Sequence, residues 1–331
     1  MNDSGRRLTI HAALAAAAGT MLPQSTSAQT RTPSQPLDGP LRIVVGYAPG
    51  GASDRAARLL AEPLRELLGV PVTVENKTGA GGRLSAQQVK AAGSDQNVLL
   101  AGNPAIMVVA PLVAASVGYD ARADFVPVSQ ITAYDFGVAV GPSVPVKEFN
   151  HLLAWLRANP AQANFGVPAT GSLPHFFALM LAQSARVSAQ VVGYRGSAPL
   201  VTDLIGGQIP VAIDTLDSLI PQHQSGKLRI LAVGAASRSA DTLNLPTLTE
   251  SGVKVVADGW NTLFAPAGMP AAKVALIGRA VEQAMRAPEL QAKFRAASMI
   301  PVAKSSAQTA KDLEAFRAKW EPVIRASGFK E

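Results

Sequence analysis

The chain contains no cysteine and only four histidines, and aromatic residues make up just 5% of its 331 positions. Without cysteine there is no disulfide, no thiolate metal site and no cysteine nucleophile, so stability has to come from an apolar core. His11, His151, His175 and His223 show no metal-ligand spacing of the His-x-x-x-His kind. The scarcity of aromatics argues against a stacked aromatic cage around a ligand. Charged residues are sparse at 16%, and the formal net charge of +7 is scattered without a basic run; nucleic-acid-binding or membrane-binding arms are therefore not expected. No apolar stretch reaches the roughly 20 residues that a membrane-spanning helix needs. Catalytic signatures are missing as well: there is no Gly-x-Ser-x-Gly elbow, no Gly-x-Gly-x-x-Gly dinucleotide loop and no Gly-Lys-Ser or Gly-Lys-Thr of a P-loop. No cofactor is expected.

At the N-terminus, Arg6 and Arg7 precede an apolar segment from Ile10 to Leu22 and a small-residue site at Thr26-Ser27-Ala28. This order reads as a signal peptide over residues 1–28, exported by the general secretory route or, through Arg6-Arg7, by the twin-arginine route. Residues 29–38, rich in Ser, Thr, Pro and Gln, read as a disordered lead-in.

Between Arg42 and Gly82 the sequence states one unit twice: a buried strand, a glycine-rich turn, then a helix. Arg42-Ile-Val-Val-Gly-Tyr47 leads into Ala48-Pro-Gly-Gly-Ala-Ser-Asp54, and Val72-Thr-Val-Glu-Asn76 leads into Gly79-Ala-Gly-Gly82. Short continuous apolar runs read as strands covered on both faces. Helices that begin at such loops offer unpaired backbone N–H groups and a positive dipole end, a setting for a carboxylate or phosphate.

Alternation continues with a strand at Asn97–Gly102, a helix at Pro104–Ala115, and a second series opening with a strand at Phe136–Val140. Further strands are read at 163–167, 190–194, 210–213, 228–234 and 261–265, with helices between them and at 271–285 and 307–326. Leu313, Phe316, Trp320 and Ile324 lie three and four apart on the last helix, which makes Trp320 a core anchor. Trp260 adjoins a strand and either lines a crevice or packs in the core. The pattern implies α/β architecture with parallel sheets and right-handed crossovers. The expected lobes are residues 39–132 with 235–331, and residues 133–234.

Taken in order, these motifs resemble those of Bug-type extracytoplasmic solute receptors, the binding components of tripartite tricarboxylate transporters. The resemblance is carried by the two loops above, Ala169-Thr-Gly-Ser-Leu-Pro-His175, Tyr194-Arg-Gly-Ser-Ala-Pro199 with Asp203-Leu-Ile-Gly-Gly-Gln208, Asp214, Leu245-Pro-Thr-Leu248 and Ala265-Pro-Ala-Gly-Met-Pro270. It covers residues 40 to 329. It implies a two-lobed periplasmic binding protein of the type II-like class, with the ligand cleft between lobes joined by crossing strands. It also implies a periplasmic location, a small carboxylate ligand, a monomer, and membrane transporter subunits or a membrane sensor as partner.

Carried over by motif, the ligand-binding candidates of the first lobe are Tyr47, Pro49, Gly50, Gly51, Ser53, Asp54, Gly79, Ala80 and Gly81. Those of the second lobe are Thr170, Gly171, Ser172, His175, Tyr194, Gly196 and Asp214. Asp54 also suits a plain helix-start charge, and His175 a structural hydrogen bond. Arg83 departs from the family pattern, in which a small polar residue is common there, and is read as facing outward. An exported serine hydrolase using Ser172, His175 and Asp214 is the enzyme alternative.

Overall fold

The apolar run Leu41–Val45 forms β1, with β2 (Val72–Asn76) and β3 (Val98–Gly102) parallel on its two sides. Both faces of this sheet are covered. Leu41, Ile43 and Val45 lie against α1 (Ala52–Leu68), which buries Ala56, Leu60, Leu64 and Leu68 along one stripe. Val44, Val98 and Leu100 pack on the opposite side with Ala86 and Val89 of α2 (Arg83–Lys90). Double coverage explains why β1 and β3 read as apolar runs, whereas β2, at the sheet edge, carries Thr73, Glu75 and Asn76 and is only partly buried. The computed structural model describes residues 37–93, 95–297 and 299–331; the expected signal peptide and the lead-in up to residue 36 lie outside the described residues.

After β3 the single helix expected over Pro104–Ala115 is instead a π-helical turn, Ala105–Val109, followed by the short α3 (Ala110–Val113). Pro111 has no N–H to donate to the carbonyl of Met107, and the helix widens just ahead of it. The strand expected at Phe136–Val140 is the end of a longer one, β4 (Phe125–Val140). Next come α4 (Phe149–Ala158), β5 (Asn164–Val167), α5 (Leu173–Ala185), β6 (Gln190–Gly193), α6 (Ser197–Ile205), β7 (Val211–Thr215), α7 (Leu216–Gln224) and β8 (Arg229–Val233). The chain returns through β9 (Asp258–Pro266), α8 (Ala271–Arg286), α9 (Pro288–Ala296), β10 (Ile300–Pro301) and α10 (Ser306–Ala326).

The strand order is β2-β1-β3-β9-β4-β7-β5-β6, with β8 and β10 also pairing β4. Residues Phe125–Asp135 of β4 run antiparallel to β9, whereas Phe136–Val140 pair with β7 and β8. One strand thus belongs to both ends of the sheet. This is the crossing-strand arrangement of a two-lobed α/β binding protein. On α10, Leu313, Phe316, Trp320 and Ile324 are all buried, and Trp320 is fully enclosed, as its spacing predicts. Trp260 packs in the same core, 5.6 Å from the Phe316 ring and 6.0 Å from that of Phe264.

Candidate functional site

Parallel strands bring their C-terminal ends, and the helix starts that follow, to one crevice. The starts of α1, α2, α5 and α6 meet there around a cleft of about 760 Å³. Nine of the sixteen candidates line it: Tyr47, Gly51, Ser53, Ala80 and Gly81 from the first series, and Thr170, Gly171, Ser172 and Gly196 from the second.

The first side presents backbone donors. No side chain caps α1 or α2 at Gly51 or Gly82, and the N–H groups of Ala52, Ser53 and Gly81 find no acceptor among the described residues. Such orphan donors at helix starts favour an anion. Their placement depends on an unusual loop in which Gly79, Ala80, Gly81 and Gly82 all have positive φ. Ala80, at φ 47°, holds this conformation despite its Cβ, at a cost of about 1–2 kcal/mol. Below, the Tyr47 hydroxyl and the Asn103 amide hydrogen-bond at 3.1–3.2 Å and form part of the cleft wall.

The second side presents the hydroxyls of Thr170, Ser172 and Ser197, and part of its amides is engaged. The Gly171 N–H donates to His175 Nδ1 at 3.0 Å, Ser172 N–H to the Ala169 carbonyl, and Gly196 N–H to that of Pro168. Ser172 Oγ donates to the Ala169 carbonyl at 2.6 Å and keeps its lone pairs for an incoming donor.

Seven candidates stand behind or beside the lining. Pro49 and Gly50 are exposed on the α1 loop, and Gly79 opens the second loop. Gly50 does not offer its amide, which donates to Asp54 Oδ2 at 2.8 Å. Asp54 also accepts from Arg58 and from Asn76 Nδ2. Burial pushes its carboxyl upward, but hydrogen bonds from Arg58, Gly50 and Asn76 outweigh this and leave it below the ordinary value. It builds the loop. His175 is buried against Phe176 and Phe329, and burial pulls its pKa down, so the neutral ring serves as acceptor for Gly171. Tyr194 turns away because its hydroxyl donates to Asp203 Oδ2 at 3.0 Å. Asp214 lies buried behind Ser197: Oδ1 accepts from Thr215 N–H, and Oδ2 has no partner among the described residues. Burial raises its pKa to about 6, against the opposing pull of Ser197 and Thr215.

These partners also dismantle the hydrolase arrangement. Ser172 Oγ points at a carbonyl, His175 Nδ1 is occupied by an amide, and Asp214 bonds to Thr215. Among the described residues no group of three or more His, Cys, Asp or Glu could hold a metal ion. No described helix is long and apolar enough to cross a membrane.

The lining also includes residues not expected from the sequence. Asn103, Ala105 and Val109 follow β3, a third strand end whose position next to β1 was a sufficient signal. Arg195 and Ser197 flank Gly196. Arg83, read as facing outward, instead enters the cleft with its side chain 20% exposed and ion-pairs with Glu331. Arg83, Arg195 and Glu331 are the charged residues of the lining.

The tripartite tricarboxylate transporter family receptor model (TctC) matches residues 56–329. A UPF0065 protein of Bordetella bronchiseptica is 32% identical over 310 residues, covering 92% of this chain and 89% of the relative. Protein BugT of Bordetella pertussis is 29% identical over 293 residues, 88% of this chain and 90% of BugT. Among solved structures, R. palustris Rpa4515 with adipate superposes with a TM-score of 0.78 at 31% identity, covering 88% of this chain and 98% of that one. MatC from Rhodopseudomonas palustris with bound malate gives 0.73 at 25% identity, over 87% and 99% of the respective chains.

Proposed function

The chain belongs to the tripartite tricarboxylate transporter receptor family, and on that premise we propose that it captures a small carboxylate solute in the periplasm and delivers it to the membrane subunits of such a transporter. The family is one of solute receptors, and no catalytic step is assigned to this cleft. The observation that carries the reading is the set of orphan N–H groups at Ala52, Ser53 and Gly81, all residues that line the cleft. A carboxylate seated there accepts hydrogen bonds strengthened by its own charge and by the helix dipole, without needing a cationic side chain.

Thr170, Ser172, Gly196 and Ser197 then close on the ligand from the other side, with β4 and β9 as the hinge and residues 39–132 with 235–331, and 133–234, as the moving bodies. The receptor acts as a monomer. Adipate and malate in the two neighbouring structures support the ligand class. Isothermal titration of the mature protein against a panel of mono- and dicarboxylates tests the reading. One-to-one binding without product formation is the expected result; absence of binding across the panel overturns it.

A further inference from the structure

The segment after α10 reaches across the cleft. The Phe329 ring lies 5.4 Å from that of His175 and fills the space beside Gly171, where an added Cβ would come within 2.7 Å of it. Lys330 Nζ donates to the Leu112 carbonyl at 2.9 Å, and Glu331 N–H to that of Val113 at 3.1 Å. Held from both sides, this segment delivers the Glu331 carboxylate into the cleft and onto Arg83. Arg83 in turn is fixed as the first residue of α2, directly after the loop that presents Gly81.

Arg83 is thus a cation on the same wall as the orphan amides, and its partner is a carboxylate supplied by the chain itself. We propose that Glu331 is a tethered competitor for Arg83, and that a solute bearing a second acidic group binds by displacing it. This rests on the carboxylate-receptor reading and adds the element that sets specificity. The first carboxylate of the solute takes the orphan amides; the second exchanges with Glu331 on the Arg83 guanidinium. A monocarboxylate leaves the Arg83–Glu331 pair intact. Selection for diacids is then set by a difference between two ion pairs rather than by the amides, which serve both ligand classes alike.

The test compares adipate with hexanoate, equal in length and differing by one carboxylate, by isothermal titration on the wild type, Glu331→Gln and Arg83→Gln, with melting curves to establish folding. Removing the competitor is expected to tighten adipate about five-fold, a change of the size a partly exposed ion pair supplies, while hexanoate shifts by less than about two-fold. Arg83→Gln is expected to abolish the preference for adipate over hexanoate, and the double variant to behave as Arg83→Gln does. If Glu331→Gln leaves the adipate-to-hexanoate ratio unchanged or lowers it, the proposal is overturned while the receptor reading stands. If no variant binds either acid or any other carboxylate, both readings fall.

Discussion

Ser53 Oγ donates to Asn261 Oδ1 at 2.6 Å, and Asn261 Nδ2 donates onward to Thr132 Oγ1 at 2.8 Å, all three side chains being buried. Ser53 opens α1 at the cleft, whereas Asn261 and Thr132 lie opposite each other on the crossing strands β9 and β4. A short polar chain therefore ties the start of α1 to the crossing strands. Ser53→Ala leaves the buried Asn261 oxygen without its donor and should cost about 1–3 kcal/mol of stability. Urea unfolding would measure this, and a loss below about 0.5 kcal/mol would mean that water replaces the hydroxyl.

The two glycines of the first loop should behave differently. Gly50 sits at φ +87° in open space, so Gly50→Ala costs about 1 kcal/mol through its backbone alone. Gly51, at φ −67° and ψ 165°, has an ordinary conformation, and its added Cβ would meet only the Ala48 carbonyl at 3.5 Å. Gly51→Ala should fold like the wild type, while Gly51→Val projects into the cleft and should weaken carboxylate binding at least about ten-fold. Paired melting and titration curves separate the two effects.

Asp214 gives a pH signature. Its pKa in the fold is raised from 3.8 to about 6, so folding disfavours the ionised form. Its contribution to stability is highest below pH 3.8 and falls as pH rises through the window to about 6. Asp214→Asn should raise the melting temperature by a few degrees at about pH 7.5 and change it little at about pH 4. Equal shifts at both pH values would point to packing instead of charge.

Ligand contacts offered from both sides of the cleft imply motion. Small-angle scattering at saturating adipate should show a smaller radius of gyration than the free protein, and an unchanged curve would indicate that the site is already closed.

The parallel strands and the α10 stripe were legible because burial on two faces, or on one helical face, leaves a pattern in adjacent residues. The first part of β4 was not. Ser129, Gln130 and Thr132 are buried there yet polar, since Ser129 Oγ reaches the Lys304 carbonyl and Gln130 N–H reaches Thr309 Oγ1, partners far along the chain. The direction of Arg83 was hidden for the same reason, as its counter-ion is Glu331. Tyr194 was not placed by its strand end alone, because its hydroxyl is taken by Asp203, nine residues further on. Loop positions that present backbone groups were easier to place, because glycine itself marks them.

The pairing of β3 with β9, where Leu100 faces Phe264, also bears on how the chain folds. β4 to β8 pair among themselves within a short stretch of chain, whereas β1 to β3 depend on β9, far along the sequence, for their antiparallel neighbour. The half that presents the orphan amides is therefore completed by a contact of long sequence separation, the kind that forms slowly, and until β9 docks, its apolar edge strand is open to aggregation.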